Sequence, residues 1–344
     1  MKNKVLVTGG CGYIGSHAIV DLIDNGYDVI CADSLINADG SALAGIEAIT
    51  GKNIKNYVVD LCDAKATHKI FSENRDLIGV IHFAALKSVG ESVEKPLEYY
   101  HNNLQSLVNI LACLSEFDVR HFIFSSSCSV YGNSKVLPVT EDTPFERAES
   151  PYARTKQIGE DIIRDFSLAH PFITNIALRY FNPAGAHESN LIGESPSSVA
   201  NNLVPVITEA AIGKRKEVVV FGNDYATRDG SCIRDYIHVA DIAHAHTLAL
   251  EYAMRRENST NFEVFNLGTG EGVSVLEVIK AFETENKMNF RYRIGQRRPG
   301  DVVAIYANND KAKNALGWIP KYNINDIMRT AWAWEKKRSH VMVE

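Results

Sequence analysis

Tyr152 and Lys156 stand four residues apart in the run SPYARTK, residues 150–156. If a helix begins there, the two side chains share one face, a turn apart. An ammonium held beside a phenol favours the phenolate, which would make Tyr152 a base usable near neutral pH. The helix is expected on local grounds. Ser150 suits an N-cap, Pro151 suits a first turn that needs no N–H, and Ile158, Ile162, Ile163 and Phe166 keep helical spacing until His170 and Pro171. A tyrosine and a lysine on a solvated face is the plain alternative, and so short a pattern does not exclude it.

A second constellation lies at the start of the chain, in VLVTGGCGYIGSHAIVDLIDNG, where Gly9, Gly12 and Gly15 fall between a strand-like and a helix-like run. In that context the first glycine permits a tight turn, the second lets a pyrophosphate approach the backbone, and the third lets helix and strand pack closely. The phosphates would then sit on the helix N-terminus. Asp33 ends the next strand, where its carboxylate could accept both adenosine ribose hydroxyls and repel a 2′-phosphate, so NAD is favoured over NADP. Asp60, at the end of YVVD, is a candidate near the adenine and equally a turn-forming aspartate.

The elements that must hold these residues follow an alternating pattern. Runs such as VLVTGG, YDVICAD, YVVD, VIHFAA, HFIFSSS and NIALRYFNP alternate with longer segments of helical period. That pattern means βαβ units, and the nearly all-apolar strands suit a parallel sheet covered on both faces. The fold class is therefore α/β, a Rossmann-type doubly wound parallel sheet, with a smaller α/β domain towards the C-terminus. Residues 92–117 read as one long helix whose Leu104, Leu107, Val108, Leu111 and Leu114 form a core stripe. The 344 residues can bury a sizeable core, and 45% hydrophobic with 23% charged residues is ordinary for a globular protein. A formal net charge of −6 argues against nucleic acid or an anionic membrane as partner. Neither a signal sequence nor a bilayer-length apolar run is evident, so a cytoplasmic protein is expected. The six cysteines are scattered without a CxxC pair, which suggests reduced thiols and no metal site.

The GxxGxxG spacing is typical of short-chain dehydrogenases/reductases. FSSSCSVYG, SPYARTK, LRYFNPAGAH, FGNDYATRDG, IRDYIHVADIAHAH and FNLGTG resemble the UDP-glucose 4-epimerase family of the extended branch, with the likeness running from about residue 4 to about residue 335. The resemblance implies that Tyr152 is the base, that Lys156 holds the nicotinamide ribose and lowers the phenol pKa, and that Ser127 bonds the reacting sugar oxygen. It implies cofactor contacts from Gly9, Gly12, Tyr13, Ile14, Gly15, Asp33, Asn37, Asp60, Leu61, Phe83, Ala84, Lys87, Asn102, Tyr152, Lys156 and Tyr180. For the UDP-sugar it implies Ser127, Tyr152, Asn182, Asn202, Leu203, Arg234, Arg298, Asp301 and Ile305. Residues 1–182 with about 236–267 would form the NAD-binding domain, and about 183–235 with 268–344 the UDP-sugar domain. A homodimer through the helices at 92–117 and 151–169 is also implied.

The expected activity is C4 epimerisation of UDP-glucose and UDP-galactose through a 4-keto sugar. Dehydratases and decarboxylases of the same superfamily place carboxylates just after the serine, where this chain has Cys128 and Ser129. That argues against a dehydratase or decarboxylase, which stay as alternatives with a UDP-uronate epimerase and a catalytically silent NAD-sensing regulator; the last would be expected to lose the tyrosine or the lysine. Ile305 stands where similar epimerases carry either a bulky tyrosine, which restricts them to glucose and galactose, or a small cysteine or serine, which admits N-acetylated sugars. Isoleucine is intermediate in volume, so size alone does not decide between them; UDP-glucose and UDP-galactose are expected first, with UDP-N-acetylhexosamines as additional substrates. In Ile305→Tyr, kcat/KM for UDP-N-acetylgalactosamine should fall more than that for UDP-galactose; equal losses in steady-state assays would contradict the steric argument.

Overall fold

The computed structural model of the chain describes residues 3–38, 40–196, 200–298 and 301–341. The glycine-rich start builds β1 (Lys4–Thr8), α1 (Tyr13–Asp24) and β2 (Asp28–Ala32), followed by α2 (Ser41–Thr50), β3 (Asn56–Tyr57), α3 (Ala64–Glu73) and β4 (Leu77–His82). Two helices, α4 (Val89–Glu94) and α5 (Pro96–Glu116), lead to β5 (His121–Ser127), a 3-10 turn at Cys128–Tyr131, α6 (Pro151–Ala169) and β6 (Thr174–Tyr180). Beyond these come β7 (Asn182–Ala184), α7 (Leu203–Ala211), β8 (Val218–Phe221), β9 (Ile233–Arg234), β10 (Tyr236–His238), α8 (Val239–Arg255) and β11 (Phe262–Leu267). The chain closes with β12 (Val273–Ser274), α9 (Val275–Asn286), β13 (Tyr292–Gly295), β14 (Ala304–Ile305), α10 (Asp310–Leu316) and α11 (Ile324–Val341).

Seven strands form one sheet in the order β11-β6-β5-β4-β1-β2-β3, every neighbouring pair parallel. This is the doubly wound Rossmann-type arrangement. The order reverses between β1 and β4, and open sheets of this kind bind ligands at such a switch point, beyond the strands' C-terminal ends. One face is covered by an apolar core that includes Val5, Ile19, Leu22, Ile242 and Leu250, and the other by a core that includes Leu6, Phe71, Leu107, Leu111 and Ile163. The central strands are accordingly apolar almost throughout, as parallel strands buried on both sides must be. Smaller sheets, β10-β7, β12-β9-β14 and β13-β8, belong to the later part of the chain, where α7, α9 and α11 enclose a core around Ile207, Phe282 and Met328.

Residues 92–117 are not one helix. The chain breaks at Lys95, which ends α4 and precedes α5 with φ −127° and ψ 56°, because Pro96 excludes helical geometry from the residue before it. The apolar stripe divides too: Leu107, Leu111 and Leu114 are core, whereas Val108 is exposed with Val93 and Leu97 on the outer side of the pair. The strand read in YVVD is only Asn56–Tyr57 and leaves Val58 exposed. Among the described residues, no helix is long and apolar enough to cross a membrane.

His17, His82, His238 and His246 are all buried, and burial pushes their imidazoles down, to about 3 for the first two and about 4 for the others. The unfolded chain binds protons near pH 6.5 that these folded groups refuse, so stability is lost as pH falls below that value. In urea unfolding between pH 7 and 5, His82→Asn should flatten the acid limb by up to ~1.4 kcal/mol per pH unit; an unchanged slope would contradict neutral burial of His82.

Candidate active site

The glycine loop closes the switch point at β1. Gly9 takes φ +69°, and a Cβ there would lie 2.7 Å from the Ala84 nitrogen; one on Gly15 would lie 2.3 Å from the Gly9 oxygen. Only glycine fits either place. Gly12 precedes α1 without any side-chain cap, so the first-turn N–H groups are left for an anion, in contrast to α3 and α6, which are capped by Asp63 and Ser150. Asp33 follows β2 and is fixed by two backbone donors, Cys11 N at 3.0 Å and Leu35 N at 2.9 Å. These features fit a dinucleotide pyrophosphate and ribose.

The other expected cofactor residues are distributed around this loop. Ile14 packs on the core, and the Tyr13 hydroxyl donates to the Gly185 carbonyl at 2.6 Å, tying α1 to the loop after β7. Phe83 and Ala84 follow β4, the Phe83 ring lying 4.6 Å from His246. Asn37 is exposed beyond Asp33. Asp60 is exposed and accepts from Cys62 N at 2.9 Å, the turn role weighed from sequence, while it keeps a place beside β3. Leu61 buries its side chain in the core under α3 and α5, so only its backbone remains available. Asn102 donates to Asn103 Oδ1 at 3.0 Å, and exposed Lys87 lies 3.8 Å from Glu194.

Ser127, Tyr152 and Lys156 converge at the C-terminal end of β5. The Ser150 hydroxyl accepts from Ala153 N at 3.2 Å and starts α6 where the sequence places it. The Ser127 hydroxyl faces the Tyr152 phenol, and its hydrogen bond draws the phenol pKa downward. Burial is the larger influence, however, and pushes the phenol up to about 12. The lowering that the resemblance implies, from Lys156 together with a bound NAD+, therefore has to act against this burial. The Lys156 Nζ lies 5.9 Å from the Tyr152 ring centre and donates to the Ser125 carbonyl at 2.6 Å; its own pKa is pushed down to about 8 by burial, which Glu160 opposes. Tyr180 is buried and bonds the Ser125 hydroxyl, and burial raises its phenol as well.

The residues expected to hold the sugar nucleotide lie on the strands and loops of the later half. β9 pairs with β14 so that Arg234 sits beside Ile305. Arg234 Nη2 is 3.6 Å from Asp301, and Nη1 donates to the Val302 carbonyl at 2.6 Å. Ile305 is buried with Val130, Tyr131, Val139 and Phe181, and Cys128 packs on that group. Arg298 is exposed, with its guanidinium 4.3 Å over the Phe221 ring; Pro299 and Gly300 lie outside the described residues. Asn182 begins β7 and donates its N–H to the Asp235 carbonyl at 2.9 Å. Asn202 precedes α7 and donates to Glu194 at 2.9 Å, and Leu203 packs on the core beneath α7.

Sequence reasoning missed two members of this region. Phe221 presents a part-exposed ring beside Arg298, although FGN was visible in the sequence. Asp235, fully buried, accepts from Thr269 N at 2.8 Å, Thr269 Oγ1 at 2.7 Å, Gly270 N at 3.1 Å and Ala307 N at 3.1 Å. It thereby joins β9 to the loops flanking Gly268 and Ile305. The aspartate was legible only as a member of IRDY, since its partners lie 34 to 72 residues away.

Residues 6–331 match the family model described as GDP-mannose 4,6 dehydratase. The UDP-glucose 4-epimerase of Haemophilus influenzae is 45% identical over 332 residues, which cover 96% of this chain and 97% of that protein. The chain belongs to the UDP-glucose 4-epimerase family. The Bacillus subtilis UDP-glucose 4-epimerase is 46% identical over 331 residues, 96% of each chain. The crystal structure of UDP-glucose 4-epimerase from Bifidobacterium longum in complex with NAD+ and UDP is similar with a TM-score of 0.93 at 45% identity, covering 98% of this chain and 99% of that one. At the position where the resemblance would place a dehydratase's carboxylate the chain has Cys128, whose thiol burial pushes up to about 12.

Replacing Asp235 by alanine leaves several donors without their acceptor, a loss of about 3 kcal/mol or more. Asp235→Ala should lower the thermal midpoint and raise KM for UDP-galactose more than it lowers kcat. An unchanged KM would contradict its role in placing Arg234.

Proposed function

We propose that the chain interconverts UDP-glucose and UDP-galactose by inverting C4 of the hexose, with NAD as a resident cofactor. The observation that carries this reading is the convergence of Ser127, Tyr152 and Lys156 at the end of β5, next to a glycine loop built for a dinucleotide, with no carboxylate at Cys128 or Ser129. Membership of the epimerase family supports it.

Gly9, Gly12 and the first turn of α1 would hold the pyrophosphate, Asp33 the adenosine ribose, and Phe83 and Ala84 would wall the passage towards the nicotinamide. When bound there, NAD+ would supply reversible hydride acceptance at C4 of the hexose and a positive charge beside Tyr152. Tyr152 takes the 4-OH proton as the hydride leaves and returns it after the sugar has turned. Ser127 bonds the same sugar oxygen and holds it against the phenol. Lys156 supplies a fixed positive charge that favours the phenolate over the neutral form. During the turn the UDP moiety would stay anchored by Arg234 and Arg298 on the diphosphate, Asp301 on the uridine ribose and the Phe221 ring on the base, while Asn182 and Asn202 bond the sugar or diphosphate. Ile305 is intermediate in volume between tyrosine and cysteine, and N-acetylated hexoses are proposed as further substrates on that ground alone.

In this reading residues 1–182 with about 236–267 carry the dinucleotide, and about 183–235 with 268–344 the UDP-sugar. The free state of all six cysteines supports a reducing, cytoplasmic setting. The exposed Val93, Leu97 and Val108 support a homodimer that covers this face of α4 and α5.

Purified protein should carry NAD and convert UDP-galactose to UDP-glucose without net NADH release, as read by chromatography of the sugar nucleotides and absorbance of the cofactor. Tyr152→Phe should lower kcat by about 100-fold to 10,000-fold. Full turnover by Tyr152→Phe, or stoichiometric accumulation of NADH by the wild type, would overturn the reading.

A further inference from the structure

Behind the Ser127–Tyr152–Lys156 face lies a group of charges that the reaction as described does not use. Glu160 sits one helical turn beyond Lys156 on α6 and is 0% exposed. Its Oε1 accepts from the Ser126 hydroxyl at 2.5 Å and from Arg179 Nε at 2.9 Å, and its Oε2 accepts from Arg179 Nη2 at 2.5 Å. Arg179, on β6, is 2% exposed, and its Nη1 donates to the Tyr131 hydroxyl at 2.9 Å and the Glu141 carbonyl at 3.2 Å. The chain of bonds continues from the Tyr131 hydroxyl to Asn266 Oδ1 at 2.6 Å. A buried ion pair of this kind is weak evidence for stability, because apolar replacement of both partners is often neutral or favourable. What distinguishes it is its place. Ser126 lies between Ser125, whose carbonyl receives Lys156, and Ser127, whose hydroxyl faces Tyr152.

We propose that the Glu160–Arg179 pair is a positioning unit for catalysis, which clamps the serine-rich end of β5 onto α6 and so fixes Ser127, Tyr152 and Lys156 relative to one another. The inference rests on the epimerase reading and deepens it. Three elements meet at one carboxylate: Ser126 of β5, Arg179 of β6 and the helix that carries the base. A shift of either the strand end or the first turns of α6 would move the hydroxyl and the phenol apart, and misplacements of about 1 Å can lower a rate by about 100-fold.

The carboxylate has a second effect, because its negative charge opposes the loss of the Lys156 proton that burial promotes. The remaining groups around the ammonium are neutral near pH 7. His82 of β4 faces it with a pKa of about 3, the Phe124 ring of β5 lies 4.8 Å beneath it, and the Tyr152 and Tyr180 phenols are raised by burial.

The test compares NAD-bound wild type, Glu160→Gln and the double variant Glu160→Leu/Arg179→Met in steady-state epimerisation of UDP-galactose across pH, with NAD content and thermal midpoint measured on each. In Glu160→Gln we expect NAD content to be retained, KM to stay within about twofold and kcat to fall about 10-fold to 100-fold. The alkaline limb of its kcat profile should move to lower pH. The double variant removes both charges together, so its thermal midpoint should exceed that of Glu160→Gln while kcat stays low. A double variant with wild-type kcat and pH profile would overturn the proposal, as would a Glu160→Gln whose entire kcat loss equals its loss of bound NAD. Should Glu160→Gln not fold, the double variant decides. Failure of the epimerase reading itself shows separately, in a wild type that leaves UDP-galactose unchanged.

Discussion

A single ammonium, placed where water is largely shut out, sets the terms for this site. Burial draws the Lys156 proton off more readily than in water, and the 2.6 Å bond to the Ser125 carbonyl together with the nearby Glu160 charge works in the opposite direction. The result is a lysine whose pKa of about 8 still leaves it mostly charged near neutrality. The same enclosure acts on Tyr152 with the other sign and holds the phenol protonated. Phenol and ammonium are thus balanced against each other by one local dielectric, and in the proposed mechanism the positive charge of bound NAD+ would tip the phenol towards ionisation. This arrangement couples proton removal to a loaded site.

The fold supplies that enclosure by topology. Parallel strands buried on both faces end together, and the loops beyond β1, β4 and β5 bring a glycine cradle, Phe83 and Ser127 to the same edge. α6 reaches the edge because Ser150 and Pro151 begin it there, so Tyr152 falls in the first turn and Lys156 in the second. The residues proposed to hold the nucleotide come from different elements, and Asp235 joins the end of β9 to the loop at Thr269–Gly270 and to Ala307 beyond β14 by accepting four hydrogen bonds. In the proposed mechanism, hydride chemistry on one side and nucleotide anchoring on the other would suit a reaction whose sugar must turn while its diphosphate stays in place.

Local rules made part of this legible. The glycines could be read because each answers a backbone demand within fifteen residues, and Tyr152 and Lys156 because helical period places them together whatever the rest of the chain does. Strand and helix alternation likewise gave the sheet. Other features depended on tertiary contact. Glu160 and Arg179 are 19 residues apart on a helix and a strand, and nothing in either local sequence announces their pairing. Asp235 reads as an ordinary charge until its distant backbone donors are known. The apolar stripe of residues 92–117 concealed the break that Pro96 imposes, since a continuous pattern of leucines says nothing about the residue preceding a proline. The burial that raises the Tyr152 phenol was not legible, because the sequence shows the neighbouring lysine but not the enclosure around the ring.

Spectroscopic titration of Tyr152 in the NAD-loaded protein tests the central claim most directly, with the tyrosinate signal taken as the difference between the protein and its Tyr152→Phe counterpart. The account predicts a midpoint well below the value of about 12 that the phenol has without cofactor, and a rise towards that value when Lys156 is replaced by methionine. A loaded phenol that titrates as high as about 12, or one indifferent to the loss of Lys156, would contradict it.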